Sequence, residues 1–118
     1  MTMAGRKSFG ALVRRQREAK EIGLREMAKM IGVSPTYMSK VERDEFAPPV
    51  EEKVKDIARI LQCDADDLLA RAGRVSSDIS EIIKRTPVER AALLRTTRGW
   101  SAGEISRLVS QVKKAKGE

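Results

Sequence analysis

Lysine and arginine supply most of the chemistry that this sequence of 118 residues offers. They number 24 against 17 aspartates and glutamates, which gives a formal net charge of +7. The chain has no histidine and one cysteine, Cys63, so it lacks the residues of a Ser-His-Asp triad, a Cys-His dyad, a Cys/His zinc site or a disulfide framework. We therefore expect no enzyme activity and no cofactor. The excess of positive charge favours a polyanionic partner, nucleic acid first and an acidic membrane surface second.

The length suits one ordinary domain, or one small domain with an appendage. No stretch approaches the roughly 18 apolar residues of a spanning helix. The first ten residues have a basic start but no apolar segment after it, so no signal peptide is predicted either. These features predict a cytoplasmic protein that has no membrane partner.

Charge is segregated along the chain. Residues 1–43 carry 10 basic and 4 acidic side chains, residues 44–73 carry 4 and 8, and residues 74–118 carry 10 and 5. A uniformly solvated surface would not separate the two signs in this way, so the basic segments are candidates for contact with a polyanion.

Apolar residues recur at helical spacing, and an all-α chain is predicted because no alternating strand pattern occurs. Gly32 ends the second predicted helix, and Ser34 followed by Pro35 begins the third. The first five predicted helices lie near 9–20, over Leu24–Ile31 and Pro35–Arg43, from Val50 to Leu61, and from Asp64 to Gly73.

Residues 74–118 are also predicted to be helical. Thr86 with Glu89, and Ser101 with Glu104, have the spacing of capping boxes and predict helices near 87–98 and 102–115. A shorter helix is predicted around the apolar residues Ile79, Ile82 and Ile83.

Two short helices joined by a glycine turn have the size and spacing of a helix-turn-helix, the motif whose second helix enters the DNA major groove. The match to a known family is more specific. The chain resembles the family of phage Cro and lambda repressor, also called the xenobiotic response element family, through the run Arg14-x-x-Arg17, Met27-Ala28-x-x-Ile31-Gly32-Val33-Ser34-x-x-Tyr37-Met38-Ser39-x-Val41-Glu42-Arg43, Pro48, Ile57-Ala58-x-x-Leu61 and Leu68-Leu69.

The resemblance implies a five-helix lambda-repressor-like DNA-binding domain over residues 9–73. A flexible N-terminal arm would precede it at residues 1–8, and a C-terminal extension of two to three helices would follow at residues 74–118. It also implies a bacterial or phage-type protein that is associated with the nucleoid.

The same resemblance implies which residues meet DNA. The start and outward face of the third helix would contact base edges, where Lys40 can donate to guanine O6 and N7. Many family members carry glutamine at the position of Pro35 for a bidentate adenine contact, which proline cannot make, so DNA shape would contribute more to recognition. The base-reading candidates are Pro35, Thr36, Ser39 and Lys40, and the phosphate-contacting candidates are Arg14, Arg25, Ser34, Tyr37 and Arg43.

Arg17 and Glu42 match two positions that form a partly buried ion pair between the first and third helices of the family. We expect the same pair here, with a bidentate bond that fixes how far the third helix projects. The alternative is two exposed charges worth less than about 1 kcal/mol.

The C-terminal helices cannot bury their apolar faces alone, so they must pack on the first domain or on a second copy. Members of the family commonly bind DNA as dimers, which favours a dimerisation role for residues 74–118. The alternative is a lid that completes the core of the monomer. The residues assigned to dimerisation are Trp100, Ile105, Leu108, Val109 and Val112.

The resulting interpretation is a sequence-specific regulator of transcription that binds double-stranded DNA as a homodimeric repressor. Two alternatives use the same fold to bind another protein. The first is an antitoxin-type module that captures a toxin or another regulatory protein. The second is a coactivator-type bridge that contacts protein in place of bases.

Overall fold

The structure is a computed structural model that describes residues 8–117. Over this range it contains helices and no β-strand, so the all-α prediction is confirmed. The predicted arm at residues 1–8 lies outside the described residues except for Ser8, whose hydroxyl accepts a hydrogen bond from the Ala11 N–H and caps the first helix. The helices are α1 (Phe9–Ala19), α2 (Leu24–Ile31), α3 (Pro35–Glu42), α4 (Glu51–Leu61), α5 (Ala65–Arg71), α6 (Ser77–Arg85), α7 (Pro87–Thr96) and α8 (Ala102–Ala115).

The first five helices enclose one hydrophobic core. α4 packs on α5, α2 on α3, and α1 on α3, so that α3 is supported from two sides. Full burial of one large apolar side chain contributes about 1.5–3 kcal/mol, which lets such a core hold a short helix in place. The buried apolar residues are Phe9, Leu12, Val13, Met27, Ala28, Ile31, Met38, Val41, Val54, Ile57, Ala58, Leu61, Leu68 and Leu69.

The turn between α2 and α3 is built from backbone hydrogen bonds. Gly32 has a left-handed conformation with φ of +75°, and the N–H of Val33 donates to the carbonyl of Ala28 at 2.9 Å. The ammonium of Lys53, on α4, donates to the Ile31 carbonyl at 2.6 Å. The end of α2 is therefore held to α4, and the start of α3 follows at a fixed angle.

The segment after α5 is tied back to the start of α4. The guanidinium of Arg74 donates to the Pro48 carbonyl at 3.1 Å and to the Pro49 carbonyl, while the N–H and hydroxyl of Ser77 donate to the Glu51 carboxylate at 3.2 and 3.1 Å. The hydrogen bond from Lys55 and then that from the Ser77 N–H lower the pKa of Glu51 to about 2.

The chain divides into two compact units, the first ending at Ser77 and the second beginning at Asp78. We call the first the helix-turn-helix unit and the second the C-terminal unit. No residue of α6, α7 or α8 is buried, so these helices leave their apolar side chains largely exposed. No helix within residues 8–117 is long and apolar enough to cross a membrane.

The two predicted capping boxes have different outcomes. Ser101 accepts from the Glu104 N–H at 3.1 Å, and the Glu104 carboxylate accepts from the Ser101 N–H at 2.8 Å, so this box forms. The box at Thr86 was a wrong prediction. The Thr86 hydroxyl accepts instead from Arg90 Nε at 2.7 Å and makes no cap bond, and α7 ends at Thr96, earlier than predicted.

Cys63 lies beside the core and is half-buried. Desolvation by burial, followed by the charge of Asp67, raises the pKa of its thiol. A raised pKa keeps the thiol protonated near neutral pH and therefore poorly nucleophilic.

Candidate nucleic-acid interface

Helix α3 begins at a strong local cap. The Ser34 hydroxyl accepts from the Tyr37 N–H at 3.0 Å, and Pro35 takes the first helical position, where its missing N–H costs nothing. Met38, Val41 and Glu42 point into the unit and are buried. The opposite side of this short helix is therefore the side that a partner can reach.

The four base-reading candidates lie on that accessible side of α3. Thr36 is exposed, and Pro35, Ser39 and Lys40 are partly exposed. None of them is buried by the described residues of the unit. The hydroxyls and the ammonium group can donate to or accept from base edges, and the proline can make only apolar contact.

A buried ion pair connects α3 to α1. Arg17 Nε donates to Glu42 Oε2 at 2.8 Å, and Arg17 Nη2 donates to Glu42 Oε1 at 3.0 Å. The remaining terminal nitrogen, Nη1, donates to the Ile22 carbonyl at 2.8 Å, in the loop before α2. The hydrogen bond to Glu42 raises the pKa of Arg17, although desolvation opposes this effect. Three elements of the unit thus meet at one guanidinium group.

A second close contact lies at the start of α1. The N–H of Gly10 donates to the Asp44 carboxylate at 3.2 Å, and Asp44 itself has a left-handed backbone with φ of +60°. A Cβ at position 10 would come within 2.7 Å of the Glu42 carbonyl and closer still to that of Val41. The absence of a side chain at Gly10 therefore lets α1 approach the end of α3.

The phosphate-contacting candidates surround this helix, and two of them are already engaged. Arg14 pairs with Glu18 and Arg43 pairs with Glu45, each at 3.2 Å on the surface. Arg25 and Ser34 are exposed, and Tyr37 is half-buried. An open groove of about 350 Å³ runs between α1 and α3 and is lined by Arg14, Arg17, Leu24, Ser39, Glu42 and Arg43.

An aromatic residue without a role in the sequence analysis lies next to Lys40. The loop after α3 turns back, with the N–H of Phe46 donating to the Lys40 carbonyl, and the Lys40 ammonium lies 5.3 Å from the centre of the Phe46 ring. The Tyr37 ring is 5.7 Å from the same ring. The only sequence signal for this arrangement is Asp44, a residue that tolerates the left-handed conformation by which the loop returns.

The residues assigned to dimerisation lie in the C-terminal unit. Trp100, Ile105, Val109 and Val112 are 40 to 50% exposed, and Leu108 is partly exposed. Helical spacing along α8 places four of these residues in one apolar stripe, namely Ile105, Leu108, Val109 and Val112. We call this set the α8 stripe, and its pairing with a second copy stays a prediction.

Comparison with known proteins shows the family. A family model described as a helix-turn-helix domain matches residues 8–72, which is more than half of the chain. The chain belongs to the helix-turn-helix family. The expected family and the lambda-repressor-like fold are therefore confirmed, and the match ends near the boundary between the two units.

One curated relative and two solved structures agree with this family. The chain is 38% identical over 64 residues to an uncharacterized HTH-type transcriptional regulator, Rv0474, of Mycobacterium tuberculosis, covering 54% of this chain and 45% of that relative. It is 27% identical to the clp gene regulator ClgR of Corynebacterium glutamicum, with a TM-score of 0.50, covering 78% of this chain and 92% of ClgR. It is 32% identical to the DNA-binding domain of the P22 c2 repressor, with a TM-score of 0.50, covering 61% of this chain and 91% of that domain.

Proposed function

We propose that this chain is a sequence-specific regulator of transcription that binds double-stranded DNA with α3 in the major groove. The observation that carries the proposal is the position of α3, buried on one side and uncovered on the side of Thr36, Ser39 and Lys40. A helix with its side chains is about 10–12 Å wide, which matches the roughly 12 Å width of the major groove.

The Arg17–Glu42 pair sets the depth to which α3 can reach. Phosphate contacts fix the orientation of a protein on the duplex, and base contacts supply the sequence preference. Because the pair joins α3 to α1 and to the loop before α2, phosphate contacts made by those elements would position the base-reading side chains.

Phosphate binding by this unit involves an exchange of partners. Arg14 and Arg43 would leave Glu18 and Glu45 to meet phosphate oxygens. Exposed ion pairs of this kind contribute less than about 1 kcal/mol, so the exchange costs little. The positively polarised N-terminus of α2, next to Arg25, offers a further phosphate contact through its free N–H groups.

We propose further that the chain acts as a homodimeric repressor. The α8 stripe supports this proposal, because exposed apolar residues at helical spacing favour contact with another helix. Dimers of helix-turn-helix proteins read two half-sites about 34–36 Å apart, which gives more contacts than one short helix can make. A dimer bound near a promoter would exclude the polymerase.

The second candidate function is the capture of another protein, as in an antitoxin or a coactivator. The exposed α8 stripe and Trp100 favour this function as well. Light scattering after size exclusion separates the two. A stable particle of twice the 13.1 kDa chain mass supports the homodimeric repressor. A monomer at micromolar concentration that also fails to dimerise on its selected duplex contradicts it.

Lys40→Ala is expected to relax the preference at one base-pair position and to cost about 1–3 kcal/mol in specific binding. Arg14→Ala, in contrast, is expected to weaken binding to all sequences alike and to flatten the dependence of affinity on salt. Competition between duplexes that differ at single positions measures both effects. Lys40→Ala with unchanged affinity and unchanged preference would show that α3 does not dock in this way.

Phe46 is expected to position the Lys40 ammonium through its ring face. Phe46→Leu keeps an apolar side chain but loses this attraction, and we expect the preference at the Lys40 base position to fall by about 0.5–1 kcal/mol. Phe46→Tyr, which keeps an aromatic ring, should retain it. In the Lys40→Ala background, Phe46→Leu should have no further effect on the preference; an equal effect in both backgrounds would exclude a role through Lys40.

A further inference from the structure

The C-terminal unit carries the larger share of the net positive charge. Residues 78–117 contain nine lysines and arginines against four aspartates and glutamates, whereas residues 8–77 contain 13 against 12. Outside the described residues, Arg6 and Lys7 add two positive charges to the helix-turn-helix unit, and Glu118 adds one negative charge to the C-terminal unit. The unit that would read the bases is therefore close to electrically neutral over its described residues.

Ion pairs do not change the net charge of either unit, because each pair neutralises one cation and one carboxylate together. Within residues 78–117, the Lys84 ammonium lies 4.0 Å from the Glu81 carboxylate. All the basic side chains of this range are exposed. In residues 8–77, six basic side chains already lie within 4.0 Å of a carboxylate, namely Arg14, Arg17, Arg43, Lys55, Arg59 and Arg71.

Five of the nine cations lie in the last turns of helices, namely Lys84, Arg85, Arg95, Lys113 and Lys114, and Lys116 is the C-cap of α8. A positive charge in the last turn stabilises the helix dipole. Arg90 and Arg107 lie inside α7 and α8, where the dipole gives no such benefit. Arg107 and Lys114 are seven residues apart on α8, and Lys114 projects from the face opposite the α8 stripe. Lys114 therefore remains available when the stripe is covered, and Arg107 lies at the border of the stripe, beside Trp100 and Leu108.

We propose that the C-terminal unit binds the phosphate backbone of duplex DNA and contributes to the sequence-independent, salt-dependent part of the affinity. This inference rests on the proposed DNA binding by α3. Release of counterions by unpaired lysines and arginines is the main source of such affinity, and it requires charge more than fixed geometry. The covalent link to the helix-turn-helix unit holds these cations at high effective concentration near the bound duplex, which favours DNA over an acidic protein as the partner.

Removal of two cations from each unit tests the proposal on the full-length protein. In the test variant, Arg107→Gln and Lys114→Gln remove two exposed charges of the C-terminal unit. In the control variant, Arg59→Gln and Arg71→Gln remove two exposed charges of the helix-turn-helix unit, both in the acidic segment 44–73, which carries 4 basic and 8 acidic side chains. Affinity for a duplex without the selected motif is measured from about 50 to 200 mM salt.

The slope of log affinity against log salt is expected to fall by about 1.8 per chain in the test variant and to stay unchanged in the control. The base preference of the test variant should equal that of the wild type. If Arg107→Gln with Lys114→Gln changes the oligomeric mass, a second pair, Arg95→Gln with Arg98→Gln, replaces it. We expect this second pair to lower the slope by the same amount. Unchanged slopes in both pairs would overturn the inference. A wild-type protein without any sequence preference would instead overturn the proposed function.

Discussion

Glu42→Ala is expected to lower the free energy of unfolding of the helix-turn-helix unit by about 3–5 kcal/mol, because it leaves the Arg17 guanidinium buried without its carboxylate. The side chains of Arg17 and Glu42 are only 10% and 4% exposed, so Arg17 would lose its carboxylate in a largely desolvated position. Most small domains are stable by only about 5–15 kcal/mol, so a loss of this size is large. Thermal and urea unfolding followed by circular dichroism measures it.

Glu18→Ala is the matched control for this change. Glu18 also pairs with an arginine, Arg14, but both side chains are more than half exposed, at 56% and 58%. Loss of this pair is expected to cost less than about 1 kcal/mol. Equal melting temperatures for Glu42→Ala and the wild type would show that the pair does not hold α3 to α1. Equal losses in the two variants would show that burial does not decide the effect.

Gly10→Ala is expected to destabilise the same unit by about 3 kcal/mol, because the new methyl group meets the backbone of α3. Its Cβ would lie within 2.7 Å of the Glu42 carbonyl, and these backbone atoms cannot rotate away as a side chain can. Relief of the clash requires α1 to shift relative to α3. DNA affinity should therefore fall together with stability, which unfolding curves and duplex titrations report separately.

Gly103→Ala is the matched control for the glycine. Gly103 is the second residue of α8, as Gly10 is of α1, but its Cβ would approach nothing closer than the Ser101 hydroxyl at 3.9 Å. Alanine in a helix is favoured over glycine by about 0.5–1 kcal/mol, so this change is expected to be neutral or stabilising. A Gly10→Ala variant as stable as the wild type would show that α1 and α3 do not approach so closely.

The sequence predicts those features of the fold that depend on local patterns. Ser34 and Pro35 mark the start of α3 because a cap and a first-turn proline act within four residues. Gly32 marks the end of α2 for the same reason. Arg17 and Glu42 could be paired only through the resemblance to a family, because 25 positions separate them and no local rule connects them.

Other features depend on distances between elements or on a choice between local hydrogen-bond partners, and these were not predicted. Position 10 requires glycine because it lies against the backbone of α3. The pattern of apolar residues along α1 does not show how closely another helix approaches it. The return of Phe46 onto Lys40 depends on the path of the loop after α3. Thr86 has the sequence of a cap, yet its hydroxyl accepts a hydrogen bond from Arg90. Sequence spacing does not decide between this side-chain donor and the backbone N–H groups of the first turn.

The charge pattern illustrates the same limit. The first 43 residues appear strongly basic in the sequence, but in the folded unit Arg14, Arg17 and Arg43 each pair with a carboxylate. The C-terminal unit has fewer such pairs among its described residues. The net charge of a segment therefore does not give the number of its cations that lie beside a carboxylate.

Selection of bound sequences from a random duplex pool tests the central claim most directly, when wild type is compared with a variant in which Thr36, Ser39 and Lys40 are all alanine. These side chains are not buried, so the variant is expected to fold. We expect the wild type to enrich a defined motif and the variant to bind without enriching it. Enrichment of the same motif by both proteins would contradict base reading by α3.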